Sequence, residues 1–247
     1  MASAHMPRGL NPRGVGRMDS ERENFEKTQT TALQKALTNL EAPLKEKHCR
    51  RAILGTHQEH GCTVFWSIVL RYPLQGNPIV CWKFCHVLHK ILRDGHENCS
   101  KDSYRYTGFL TDLGKLWGHL KIGLSRLIAF YTKLLVGRLN FHRKYPSIQG
   151  NMVLDDGDLE KICNNDINSY FEMCVDMLDY LDDILGLQAS VFDSLDMSRA
   201  NSMTLVGQCR LAPLIPCILD SCQVYDSTVK LLFKLHSNYI YSVIALT

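Results

Sequence analysis

Lys35, Lys45, Lys47 and His48 are spaced K-x9-K-x-K-H, with Arg50 and Arg51 just beyond. An ammonium offers three hydrogen-bond donors and an imidazole adds a titratable one, a donor set suited to phosphate oxygens. Lys45, Lys47 and His48 fall in the first turn of a helix that the pattern places over Leu44 to about His60. Free backbone N–H groups and the macrodipole already favour an anion at such an end. Cations there repel the dipole, an arrangement that makes sense if a multivalent anion fills the site. Lys35, near the end of the preceding helix, reaches the same spot across a short turn marked by Pro43. A merely solvated basic patch is the competing reading.

Other chemistry fares worse. The sequence contains no GxGxxG after a strand, no Walker A loop, no GxSxG elbow and no HExxH. His57-Gln58-Glu59-His60 brings its second histidine one position too early, so the pair would ligate a metal only with a third partner. Cys81, Cys85 and His89 share a helix face among Trp82, Phe84, Val87 and Leu88, which reads as core. Asp176, Asp179, Asp182 and Asp183 alternate with apolar residues and form the polar side of an amphipathic helix. Arg50 and Arg51 would lower the pKa of Cys49, yet no base or orienting partner accompanies that thiol. The expectation is no enzyme, no metal and no cofactor.

These residues sit in a chain of 247, of which 45% are hydrophobic and 21% charged, a composition that excludes a disordered or collagenous chain. Ten cysteines without a CxxC pair read as reduced thiols. No uncharged apolar run approaches the ~18 residues of a membrane-spanning helix, and the start has no apolar signal region, so a cytosolic chain is expected. Residues 1–20, rich in Gly, Pro and Arg, are expected to be a disordered basic tail. Helical periodicity then runs from a capping box at Ser20 and Glu23 through Phe25 to Leu40, followed by Leu44–His60, Thr63–Arg71 and the nearly all-apolar Pro78–Arg93. Further helices are predicted at about Lys101–His119, Leu124–Lys144, Asp158–Cys163, Asp166–Leu195 and Arg210–Ser237. Short connections between eight or more helices predict an all-α, right-handed solenoid-like stack.

Charge is distributed unevenly along that stack. Residues 61–149 hold 13 lysines and arginines against 4 acidic residues, whereas residues 150–200 hold 2 against 12. The basic half favours an anionic partner: a membrane surface, a nucleic acid or an acidic protein. Nucleic acid lacks a recognisable reader motif or aromatic platform beside the patch, and none is expected.

The spacing Lys35-x9-Lys45-x-Lys47-His48 resembles the phosphoinositide-binding motif of ANTH domains, and composition predicts roughly 0.002 chance occurrences in a chain of this length. The runs KEKHCRRAILGTH (45–57), CWKFCHVLHKILRDGH (81–96), SLDMSR (194–199) and GQCRLAPLI…YDSTVKLLFKLHS (207–237) are similar to the huntingtin-interacting protein family within that group. The resemblance implies an ANTH domain over residues 21–238, with the family's terminal helices missing and 239–247 a divergent tail. It implies that Lys35, Lys45, Lys47 and His48, with Arg50 and Arg51 as auxiliaries, bind either phosphatidylinositol 4,5-bisphosphate or a 3-phosphorylated form. An adaptor role in clathrin-mediated endocytosis follows, peripheral to the plasma membrane and to clathrin-coated vesicles. Clathrin and actin contacts are implied only for full-length relatives, because no coiled-coil heptads or actin-binding module occur in this sequence. Missing terminal helices would leave an apolar face exposed around Val229, Leu232, Phe233 and Ile240. The alternative function is a helical protein-interaction module with little lipid binding.

Overall fold

The computed structural model describes residues 12–120, 123–198 and 200–244, with side chains placed from 20 to 237. The described residues are all-helical: α1 (Pro12–Ala36), α2 (Glu46–Glu59), α3 (Thr63–Val69), α4 (Pro78–Asp94), α5 (Asn98–Ser103), α6 (Thr107–His119), α7 (Ser125–Lys144), α8 (Asp156–Cys163), α9 (Ile167–Ser198), α10 (Leu205–Leu211) and α11 (Leu214–Ile244). Local chemistry sets several starts. The Asn77 side chain accepts from the N–H groups of Ile79 and Val80 (3.0 and 3.1 Å) while Pro78 occupies the first helical position of α4. The Asp155 carboxylate caps α8 and the Thr204 hydroxyl caps α10.

Four boundaries differ from the sequence reading. α1 begins at Pro12, so the expected disordered stretch 1–20 is helical over its last nine residues, Pro opening a helix without losing a needed N–H; residues 1–11 lie outside the described residues. α1 stops at Ala36 rather than Leu40, and α2 starts at Glu46, leaving Pro43 in the connection. The Lys101–His119 helix divides into α5 and α6 around a 3₁₀ turn at Tyr104–Tyr106. The last predicted helix breaks before Leu214, at Pro213, whose nitrogen has no hydrogen to donate, and α11 continues through Tyr239 to Ile244 where a divergent tail was expected.

α1 and α2 pair at one end and rest on α3 and α4; α4 packs on α7, α7 on α6 and α9, and α9 on α11. α4 is the central member, buried from Val80 to His89 on every face, as its apolar sequence requires. All ten cysteines are unpaired and nine are buried. Burial pushes the Cys49 thiol up to about 12, the reverse of the lowering expected from Arg50 and Arg51. Leu232 and Phe233 are exposed (51% and 69%) as anticipated, Val229 is half-buried, and the Ile240 side chain lies outside the described residues.

The core is built around one carboxylate. Asp220 on α11 receives Arg93 and His89 (2.9 Å) from α4, Arg138 from α7 and the Tyr180 hydroxyl (2.8 Å) from α9. Arg138 also donates to the Gly150 carbonyl, tying in the loop after α7. Burial alone would push the Asp220 carboxyl up, but Arg138, His89 and Tyr180 together hold it well below the usual carboxylate range. Leu205–Ser237 is long and apolar enough to cross a membrane by composition (mean hydropathy 1.2), although it holds no uncharged run of that length. Asp220 in its middle, fully buried among three neighbouring helices, makes it a core element of this fold.

A charge left unpaired in the interior costs more than the intact cluster contributes. Asp220→Asn should therefore lower the unfolding free energy by about 3–5 kcal/mol in denaturant titrations near neutral pH. Because the folded-state pKa is depressed, the Asp220 contribution persists down to the ordinary carboxylate pKa of about 4 and is lost only as pH falls further. A loss below about 1 kcal/mol at neutral pH would show that the cluster is replaceable.

Candidate functional site

The predicted basic residues meet where α1 hands over to α2. Lys35 is exposed in the last turn of α1, where the helix dipole favours a cation. α1 and α2 approach closely: Gln29 Nε2 donates to the Arg51 carbonyl (3.4 Å), and a Cβ on Gly55 would lie 2.2 Å from that nitrogen. Lys45 is the N-cap of α2 in extended conformation (φ −72°, ψ 105°), and its side chain, having no acceptor, leaves the first turn uncapped. Lys47 and His48 follow, with the His48 N–H bonded to the Lys45 carbonyl at 2.9 Å.

The electrostatics of His48 report the convergence. Its imidazole pKa is lowered, first by partial desolvation and then by Lys47, Lys35, Lys45 and Arg51. Three elements of the predicted motif thus act on the fourth, and Arg51 joins them. Arg50 is exposed on the same helix but outside this set. Glu46, an anion in the midst of the cations, is engaged by Lys90 Nζ of α4 at 2.8 and 2.9 Å. Four cations and one neutralised carboxylate make a surface of net positive charge.

Lys83, Lys90 and Arg93 form a polar stripe in the sequence of α4, which by itself names no partners. Each finds a protein partner: Lys83 the α1–α2 connection, Lys90 Glu46, and Arg93 Asp220. Nothing in their spacing reveals those destinations.

The weaker candidates resolve as structural groups. His96 joins His57 and His60, with His60 Nδ1 3.4 Å from His96 Nε2, but His96 Nδ1 accepts from the Asn98 N–H and His57 Nε2 meets the Asp94 carbonyl. No metal-binding group occurs among the described residues. Cys81 and Cys85 are buried core residues, and His89 serves Asp220 and Tyr131. Asp176 accepts from Lys144 and Tyr145, and Asp183 pairs with Lys133, so part of the acidic face of α9 is bound by α7 rather than left to solvent.

Comparison with known proteins places this geometry. The family model for the ANTH domain matches residues 28–244. Human huntingtin-interacting protein 1 is 51% identical over 94% of this chain, and endocytosis protein end4 of Schizosaccharomyces pombe is 27% identical over 90%. The chain spans 23% and 20% of those relatives' lengths. The ENTH domain from epsin-2, solved in complex with phosphatidylinositol 4,5-bisphosphate, superposes with a TM-score of 0.78 at 23% identity, over 87% of this chain and 81% of that one, and so shares the fold. With its motif-bearing turn and its helical superhelix, the chain belongs to the ANTH domain family.

Proposed function

We propose that this chain is a phosphoinositide-binding adaptor domain in which Lys35, Lys45, Lys47 and His48 hold the phosphates of one headgroup, with Arg51 and Arg50 at the margin. The observation that carries the reading is the convergence of Lys35, Lys45, Lys47 and Arg51 on His48 beside an uncapped helix start. Each cation alone is poorly placed, and a polyanion turns their mutual repulsion into attraction. The human and yeast relatives and the lipid-bound epsin-2 domain support a role at the cytosolic face of endocytic membranes. Either phosphatidylinositol 4,5-bisphosphate or a 3-phosphorylated lipid suits the chemistry. Clathrin and actin belong to this reading only through parts of the full-length relatives. The reading includes no catalysis: the thiol next to His48, Cys49, is buried and pushed up to about 12.

The acid-rich α9 packs on α7 and α11, whereas α1 and α2 pack on each other and on α3 and α4. An anionic bilayer would therefore draw the α1–α2 end toward itself and repel the α9 end.

Lys45→Glu combined with Lys47→Glu should weaken sedimentation with phosphatidylcholine vesicles carrying phosphatidylinositol 4,5-bisphosphate by at least about tenfold, each lysine contributing on the order of 1 kcal/mol. Circular dichroism should be unchanged, since both side chains are exposed. Charge reversal at Lys230, paired with Asp226 on α11, should leave binding intact. A folded double variant that binds like the wild type would return the motif to a solvated patch and favour protein interaction instead.

His48 adds a pH signature. Its pKa is lowered in the free protein, and phosphate contact would raise it, so binding takes up a proton and tightens as pH falls. The headgroup itself titrates, so the informative quantity is the wild-type affinity divided by that of His48→Ala. That ratio should be larger at about pH 5.5 than at about pH 7.5. A ratio independent of pH would remove His48 from the site.

A further inference from the structure

Lys83 projects from the middle of α4, with only 2% of its surface exposed. Its ammonium donates to the Thr38 hydroxyl (2.8 Å) and to the Leu40 carbonyl (2.7 Å). Both acceptors are neutral, and no carboxylate lies within ion-pair distance of Lys83 among the described residues; Glu41, the acidic residue of this segment, is held by Arg210 of α10 at 2.8 Å. Burying an ammonium without a counter-charge is costly, and a methionine would fill similar space without that cost. The charge is therefore retained for something that packing does not require.

The partners indicate what that is. The Leu40 carbonyl also accepts the Ala42 N–H at 2.8 Å, a tight turn between the end of α1 and the start of α2. Lys83 thus grips the turn from inside at two points, and Arg210 secures its next residue. The chain reverses there, nine residues separate Lys35 from Lys45, and the reversal decides whether the two face one ligand.

We infer that Lys83 is a positioning residue of the phosphoinositide site: through Thr38 and Leu40 it fixes the α1–α2 turn so that Lys35 and Lys45 address the same phosphate cluster. This rests on the lipid-binding reading above. It assigns the site a component on a different helix, 35 residues beyond His48, that never touches the lipid. Burial, and after it the proximity of Lys45, lowers the Lys83 pKa.

Lys83→Met should remain folded by circular dichroism and bind vesicles carrying phosphatidylinositol 4,5-bisphosphate about tenfold more weakly, while Lys83→Arg recovers to within about threefold. Adsorption to phosphatidylserine vesicles, which depends on net charge rather than arrangement, should change less than about twofold in Lys83→Met. Equal losses on both vesicle types, or no loss on either, would overturn the inference. If Lys83→Met fails to fold, Thr38→Val decides: about threefold weaker binding is expected from losing one of the two grips, and unchanged binding overturns the inference. A lipid-free readout separates this inference from the lipid reading. In Lys83→Met, the NMR titration of His48 should move back toward the ordinary histidine pKa of about 6.5 as Lys35 and Lys45 drift away. An unmoved titration would exclude a positioning role even if wild-type lipid binding is confirmed. A wild type that ignores phosphoinositide vesicles, with His48 still shifted by the variant, would refute the lipid reading and leave the positioning intact.

Discussion

The fold depends on a single buried carboxylate. Asp220 neutralises Arg93 and Arg138 and accepts from His89 and Tyr180, so α4, α7, α9 and α11 are fixed to one point. Hydrophobic packing fixes neighbouring helices by shape, and a desolvated ion cluster adds partners that a shift of one turn would break. α4 gains most from this constraint. Its C-terminal half is anchored to Asp220 through His89 and Arg93, and its N-terminal half presents Lys83 to the α1–α2 turn. The same rigid helix that completes the core therefore sets the position of the basic site.

The α1–α2 junction gathers charge where helix electrostatics disfavour it. α4, α8 and α10 each start with a side chain that accepts from the first turn; α2, like α3, α5, α6 and α7, does not, and its N-cap is a lysine. Cations gather at the dipole end that repels them, and the nearby carboxylates, Glu46 and Glu41, are taken by Lys90 and Arg210. Both carboxylates are held by cations outside the motif.

Much of this was legible in the sequence for identifiable reasons. The K-x9-K-x-K-H spacing is local, so helix periodicity and one turn suffice to bring its members together. α4 was recognisable because an apolar surface on every side has only one place to go. Groups joined across long separations were hidden. His89 and Asp220 lie 131 residues apart, Arg138 and Asp220 lie 82 apart, and no spacing rule connects them. The destination of Lys83 was hidden because a lysine in sequence carries no mark of whether its ammonium ends in water or on a carbonyl. Cys49 misled in the other direction: its neighbours in sequence are cationic, but its side chain turns inward and burial dominates. The ends of α1 and α2 moved because the turn between them is held by tertiary hydrogen bonds rather than by its own residues.

The most direct test is to follow the histidine imidazoles by NMR while titrating in the water-soluble headgroup of phosphatidylinositol 4,5-bisphosphate. His48 reports on Lys35, Lys45, Lys47 and Arg51 together, so a headgroup seated among them should raise its apparent pKa. His57, His60 and His96, at the opposite end of α2, should not move. Saturable displacement of His48 alone would establish the site; an unresponsive His48, or equal shifts at all four imidazoles, would contradict it.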